Sequence, residues 1–348
     1  MVREHVKAPL THSRTTALLP EGRARLRHSA ELFRTSFPAM GTVIDVTGTG
    51  YEYDDINRAQ IADSLAALAL DREYKWSKFL PTSEVSQLNA SAGTGTPVAV
   101  SDETQQLLAQ ALYFAHATGE VASPTVGALT ALWDVRGWLR DLARGIQRPL
   151  PDPAVVAATR AQCAAGALTQ TIDGRFLLAA GCSLDLGYIA KGVVADELRE
   201  RALELGLSAV VVSVGTSSVS VAGQRAPEVP WRVGIRSLSA DPLGIIGSID
   251  MASGQSLATS GDYLQRLPDI LDGQVVHHLI DPRTGYPAAS GVRQATVVAE
   301  NGTVAEVASL VLAITGTLDR RLWPQVEWLT IGKDGVKTSA GLRWHPSN

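Results

Sequence analysis

The sequence predicts an α+β fold of mainly antiparallel sheets flanked by helices, and three observations predict it. Short apolar stretches recur between residues 208 and 300, separated by turns of small residues, which is the signature of strands. A few longer segments, above all 56–75 and 188–206, carry apolar residues at i, i+3 and i+4 and read as helices with one buried stripe. The chain has 348 residues and 45% hydrophobic composition, enough for one large domain or two closely packed ones with a sizeable core.

The elements follow in chain order. Residues 1–30 are polar and basic and predict a flexible arm ahead of a single domain spanning 31–348. FPAMGTVIDVTGTG (37–50) alternates apolar with small or polar residues, as a strand with a turn does. A helix is expected over 56–75, and another over 101–119, with Ser101 or Asp102 as its cap and Gly119 as its stop. The proline-rich connector 144–153 leads to a short helix to about 166. RFLLAAGCSLDLG (175–187) runs from strand into turn, ahead of the amphipathic helix 188–206. Strands are then expected at 208–215, 218–223, 230–237, 244–254, 255–263 and 294–300, and a hairpin at 326–339. AEVASLVLAI (305–314) reads as a buried helix, and Thr303 with Glu306 fits a capping box at its start.

Composition excludes several classes. A net charge of −4 disfavours nucleic acid as the main partner, since that would call for a basic face. No run of 18 apolar residues exists, so no membrane-inserted helix is expected. The N-terminus lacks the apolar core of an export signal, and a cytoplasmic protein is expected. Cys163 and Cys182 lie in separate apolar segments without metal spacing, which predicts two buried thiols.

Chemistry concentrates in a few stretches. HHLIDPRTGYP (277–287) joins two histidines, suited to proton transfer near neutral pH, with an Arg-Thr-Gly turn whose Arg283 and amides suit phosphate oxygens. A strand end with a well-capped turn accounts for the same residues, because Asp-Pro and Thr-Gly are turn chemistry. In SLDLGYIAKGVVAD (183–196), Lys191 sits near a helix N-terminus, where the dipole favours negative charge. An anionic ligand such as phosphate would resolve that conflict; a solvated lysine is the plain alternative. The spacing is not that of a Walker loop. VVSVGTSSVSVAG (211–223), ATSGDY (258–263) and FPAMGT (37–42) are small-residue turns that allow close backbone approach, to a ligand or to a packed helix.

Taken in order, FPAMGT, SKFLPTSEVSQLN (77–89), ATGEVASPTVGALTALWDVRG (117–137), SLDLGYIAKGVVAD, ATSGDY, HHLIDPRTGYP and AEVASLVLAITG resemble the ApbE family, the FAD:protein FMN transferases. The resemblance spans roughly residues 37–316. It implies an α+β domain that binds FAD in a cleft between two lobes. It also implies Mg²⁺-assisted cleavage of the FAD pyrophosphate, release of AMP, and attachment of FMN to a Thr or Ser hydroxyl of an acceptor protein. Such chemistry needs charge neutralisation at the pyrophosphate and a base for the hydroxyl.

Carried over by position, the resemblance places Met40, Phe79 and the Val121–Ala122–Ser123 turn against the flavin. Gly215 and Thr259 fall in the small-residue turns that would line the cofactor. Asp185 would hold the adenosine or ribose side and Lys191 the phosphates. His278, with Ile280 beside it, would line the phosphates and act as acid or base. Tyr188, through its carbonyl, and Glu306 would bind Mg²⁺.

The chain departs from the family pattern at that metal. The family reads A-D-A-x-A-T, with Asp and Thr on one helix face; here the acid is Glu306 and the Thr position is Leu310. Ser213–Ser217 replaces N-x-G-G-[DN], Ser123 replaces the Asp of F-D-x-T, and bulky Tyr188 stands three residues before Lys191. Three readings follow: a transferase with a relaxed metal site, a relative turned to FAD hydrolysis or another transfer, and a non-catalytic flavin-binding protein.

Overall fold

The structure, a computed structural model, describes residues 31–347 except 51–54, 225–228, 239–243, 264 and 272. The basic stretch 1–30 lies outside the described residues. The first elements are β1 (Glu31–Ala39) and β2 (Thr42–Gly50), a hairpin whose ladder begins six residues before the strand expected from sequence. Its two-residue turn holds Met40 at φ 57° and Gly41 at φ 66°, the doubly left-handed geometry whose twist suits adjacent strands. Three helices follow: α1 (Asp55–Trp76), α2 (Glu84–Ala90) and α3 (Asp102–Ala117). Ser83 and Ser101 cap the last two through their hydroxyls. Next come α4 (Gly127–Trp133), α5 (Val135–Leu142) and α6 (Pro153–Gln162), the last opened by Asp152 with proline at its first turn.

The hairpin β3 (Leu168–Gln170) and β4 (Phe176–Leu178) precedes α7 (Ala190–Glu204). Most of the remaining chain is strand: β5 (Leu207–Val214), β6 (Ser218–Ala222), β7 (Trp231–Arg236), β8 (Ile245–Met251) and β9 (Ser256–Gly261). Short pieces β10 (Arg266–Leu271), β11 (Gln274–His277), β12 (Ile280–Asp281) and β13 (Tyr286–Pro287) lead to β14 (Val292–Ala299). The chain closes with α8 (Gly302–Thr315), β15 (Glu327–Gly332), β16 (Gly335–Thr338) and β17 (Trp344–Pro346). None of the helices among the described residues is long and apolar enough to cross a membrane.

The main sheet has eight strands in the order β1-β2-β5-β6-β9-β14-β15-β16, every pair antiparallel. Its side chains alternate between two cores, as a period of two requires. Val210, Val212, Val214, Ala258 and Val297 point to the helical side, where α1, α7 and α8 supply Leu65, Val194, Leu198, Val307 and Val311. Val219, Val221, Leu257 and Val298 point to the other side and meet Ile249 and Met251 of the small sheet β17-β8-β7. A second lobe has its own core of Leu129, Trp133, Trp138, Val156, Leu267, Val276 and Ile280, gathered from α4, α5, α6 and the β10–β12 segment. Cys163 and Cys182 are buried free thiols, as expected, and burial pushes Cys163 up to about 11.

The capping box expected at α8 is not formed. Asn301 is the cap, its side chain accepting the Val304 amide at 2.9 Å, so Glu306 lies a turn further in. The Thr303 hydroxyl turns instead to Gln110 on α3. Asparagine reaches the same orphan donors from an extended backbone, and this frees Glu306 for contacts across the sheet.

Candidate active site

Two turns and strand β9 meet at one end of the main sheet. The Met40–Gly41 turn is held from α1, where the Glu73 carboxylate accepts the Gly41 amide at 3.0 Å. Beside it, Gly215 opens the β5–β6 turn at φ 64° and donates its amide to Val43 O at 2.9 Å. A Cβ at Gly215 would stand 2.8 Å from the Thr42 hydroxyl, so glycine allows both the backbone angle and the approach. The turn continues to Ser217, whose carbonyl accepts the Thr259 amide of β9 at 2.7 Å.

Lys191 reaches this turn from the first turn of α7, a helix start without a side-chain cap. Its ammonium donates to Ser217 Oγ at 2.6 Å. Ser217 Oγ lies 3.4 Å from Ser218 Oγ, and the Ser218 hydroxyl donates to Glu306 Oε1. Glu306 is only 4% exposed. Burial raises its pKa above the ordinary carboxylate value, while the Lys191 charge and the Ser218 hydrogen bond act in the opposite sense. The two helices approach closely there. A Cβ on Gly192 would collide with the Gly302 carbonyl and come 2.7 Å from Glu306 Cγ.

A second group forms on the loops before α7. Asp185 is paired with Lys78 at 2.6 Å, and the same ammonium reaches Thr130 Oγ1 at 3.3 Å. Asn89 clasps Leu184 on both sides, accepting its amide at 2.6 Å and donating to its carbonyl at 3.2 Å. The Asp185 amide donates to Pro124 O at 2.8 Å, which brings the 121–126 turn alongside. In that turn Val121, Ala122 and Ser123 are buried, and the Ser123 and Thr125 hydroxyls lie 3.0 Å apart. The Tyr188 hydroxyl donates to Ala122 O at 3.2 Å, and burial drives its pKa well above the phenol range. Phe79 is 72% exposed, with the Lys78 ammonium 5.3 Å from its ring centre.

The histidines divide by their ring nitrogens. His277 Nε2 donates to Ala288 O at 2.9 Å, and its Nδ1 accepts the Leu279 amide at 3.3 Å, so both nitrogens are engaged. His278 has Nδ1 against Gln265 O at 3.4 Å, an arrangement that puts the proton on Nδ1. Its Nε2 has no partner among the described residues and keeps its lone pair. Burial lowers the His278 pKa to about 4, so the ring is neutral at physiological pH. Gln265 lies just past the end of β9, the strand that carries Thr259, and ties His278 to the same sheet end. No hydrogen bond among the described residues joins His278 directly to the Lys191 group. Ile280 is buried in the second core, and Arg283 is bound to Asp281 within its own turn at 2.8 Å.

The structure thus brings Met40, Lys191, Gly215, Thr259 and Glu306 together, and sets Phe79, Val121–Ser123, Asp185 and Tyr188 on the adjoining loops. From sequence, Lys78 and Ser218 received no role, and Ser217 entered only as a departure from the family's N-x-G-G-[DN]. Lys78 had a signal, a cation next to a phenylalanine ahead of a proline turn; Ser218 had none beyond its small size.

Beyond Glu306 and the Tyr188 carbonyl, the side chains present do not fit a magnesium ion. Mg²⁺ asks for near-octahedral oxygen ligands at about 2.1 Å. Leu310, one turn beyond Glu306, is half-buried against the main core and offers no oxygen. The neighbouring Ser309 hydroxyl is engaged with Glu306 O and Ser260 Oγ at 2.9 and 2.8 Å. Among the described residues, no three acidic, histidine or cysteine side chains gather that could hold a metal.

Fold and site together define an α+β protein of two lobes, with Lys191 placed against a small-residue turn at one sheet end and Lys78 on the adjoining loops. The chain belongs to the ApbE family, whose model matches residues 40–325. It is 30% identical over 283 residues to the FAD:protein FMN transferase of Treponema pallidum, covering 75% of this chain and 74% of the relative. To the FAD:protein FMN transferase of Rhodobacter capsulatus it is 29% identical over 302 residues, spanning 84% of this chain but about half, 52%, of that protein. The crystal structure of the ApbE protein of Thermotoga maritima superposes with a TM-score of 0.74 at 26% identity, over 89% of this chain and 97% of that one. The flavin transferase ApbE of Vibrio cholerae gives 0.72 at 25% identity, with the same coverage.

Proposed function

We propose that this enzyme is an FAD:protein FMN transferase that moves FMN from FAD onto a Thr or Ser hydroxyl of an acceptor protein. FAD lies between the lobes, with its pyrophosphate at the start of α7. Phe79, Met40 and the Val121–Ser123 turn face the flavin, and Asp185 faces the adenosine. The acceptor oxygen attacks the FMN phosphorus, the P–O bond to AMP breaks, and AMP leaves with the bridging oxygen. The hydroxyl proton passes to His278 Nε2. Lys191 neutralises charge that builds on the phosphate oxygens, where a preorganised cation is most effective.

One observation carries this reading: of two adjacent histidines, only His278 combines a fixed Nδ1–H with a free Nε2 in a neutral ring. That is the state a general base requires. The activity for which its relatives are named and the Lys191 position support it.

The test is incubation with FAD and a protein carrying a flavinylation-type threonine. AMP release with covalent flavin fluorescence on the acceptor is the expected result. AMP without labelled acceptor would mean hydrolysis instead, and neither product would mean a flavin-binding role without catalysis.

A further inference from the structure

We propose that the Lys191 ammonium, balanced by Glu306 through Ser217 and Ser218, stands where a divalent metal would act, so this enzyme handles FAD without one. The inference rests on the reading of this site as the FAD phosphate site.

The argument starts from charge. Glu306 is the only carboxylate on this stretch of α8, and its countercharge is Lys191. Before FAD enters, one anion against one cation leaves no net negative charge to hold a divalent ion, and the charge that the pyrophosphate brings meets the ammonium first. Geometry points the same way. Glu306 Oε1 takes the Ser218 proton, and its stem runs against the α7 backbone at Gly192. A metal would find only the second oxygen of that carboxylate, and no side-chain oxygen one turn further along the helix. Leu310 fills apolar space instead of ligating. Lys191 behaves differently. An ammonium has three donors, and Ser217 takes one of them. The others remain for phosphate oxygens, and the serine pair fixes where the ammonium points.

In this arrangement Ser217 and Ser218 are positioning residues. They hold the lysine and the acid in register without letting them collapse into a direct pair.

The decisive measurements need no acceptor. Mn²⁺ titrated into the purified protein and followed by electron paramagnetic resonance is expected to stay free at millimolar concentration. FAD affinity by fluorescence is expected to agree within about twofold between EDTA and excess Mg²⁺. Tight Mn²⁺ binding, or FAD affinity or AMP release at least tenfold greater with Mg²⁺, would overturn the proposal. Glu306→Gln keeps an oxygen for Ser218 but removes the countercharge of Lys191. FAD affinity is expected to change equally in EDTA and in Mg²⁺, whereas loss of a metal ligand would abolish only the Mg²⁺-dependent part and overturn the proposal. The double variant Glu306→Asp with Leu310→Thr is expected to gain Mn²⁺ binding; as a folding control, its melting temperature is read beside it. If FAD bound under no condition, the transferase reading would fall, while the Mn²⁺ titration of the unmodified protein would still decide the metal question.

Discussion

Two lysine–acid partnerships lie around the start of α7 and are built in opposite ways. Lys78 meets Asp185 directly at 2.6 Å, with both side chains roughly a quarter exposed. Lys191 and Glu306 are kept apart by two serine hydroxyls, and the acid is buried. A direct, part-exposed pair is largely satisfied and adds modestly to stability. A lysine held by a neutral hydroxyl keeps its charge available. Lys78 is therefore suited to shape the loops that receive the ligand, and Lys191 to act on the ligand's phosphates.

The largest expected effect breaks the second partnership. Lys191→Met should lower the rate of FAD cleavage by about 10²–10³-fold, the scale of losing one preorganised stabilising group. Lys78→Met should mainly weaken FAD binding, by about tenfold on the scale of 1.4 kcal/mol per decade, with the turnover rate little changed. Equal losses of turnover in both variants would erase the distinction.

The histidines offer a similar contrast at the next scale. His278→Asn should reduce transfer by about 10²-fold or more, as removal of a general base does, whereas His277→Asn should act on stability. With the His278 pKa at about 4, the base form persists as pH falls from 8 toward 5, and the rate should drop only near 4. The stability sign follows from the same shift. The unfolded ring takes its proton near the ordinary 6.5 and the folded ring only near 4, so stability is lost as pH falls between them. Melting temperature against pH, with and without His278→Asn, checks this.

Smaller effects sharpen the helix geometry. Gly192→Ala should cost about 1–3 kcal/mol by overpacking, seen as a lower denaturant midpoint, since its Cβ has no space beside Gly302. Asn301→Ala should cost about 1 kcal/mol, the usual worth of a cap, and leave FAD cleavage intact.

Much of the fold was legible in the sequence because its long periods are strong. The helices 56–75 and 188–206 and the strands from 208 onward emerge within a few residues of their expected positions. The short helices α2, α4 and α5 did not, since seven or eight residues hardly establish a period. At the site, Lys191 was legible because a cation at a helix start conflicts with the dipole. The capping box at Thr303 and Glu306 was misread because Asn301, two residues earlier, satisfies the same donors. The Ser217–Ser218 link was invisible for a different reason. It joins α7, the β5–β6 turn and α8, and only the folded sheet makes them neighbours.

With bare backbone facing bare backbone, α7 and α8 are keyed together at Gly192 and Gly302 like two rods sharing a notch. The lysine sits one residue from that notch on one rod and the acid one turn from it on the other. Sliding either rod would drive Glu306 Cγ into the main chain of its neighbour before the two charges could drift apart. The gap between cation and anion is thus gauged by the main chain, and fluctuations of the long side chains around it leave that gauge in place.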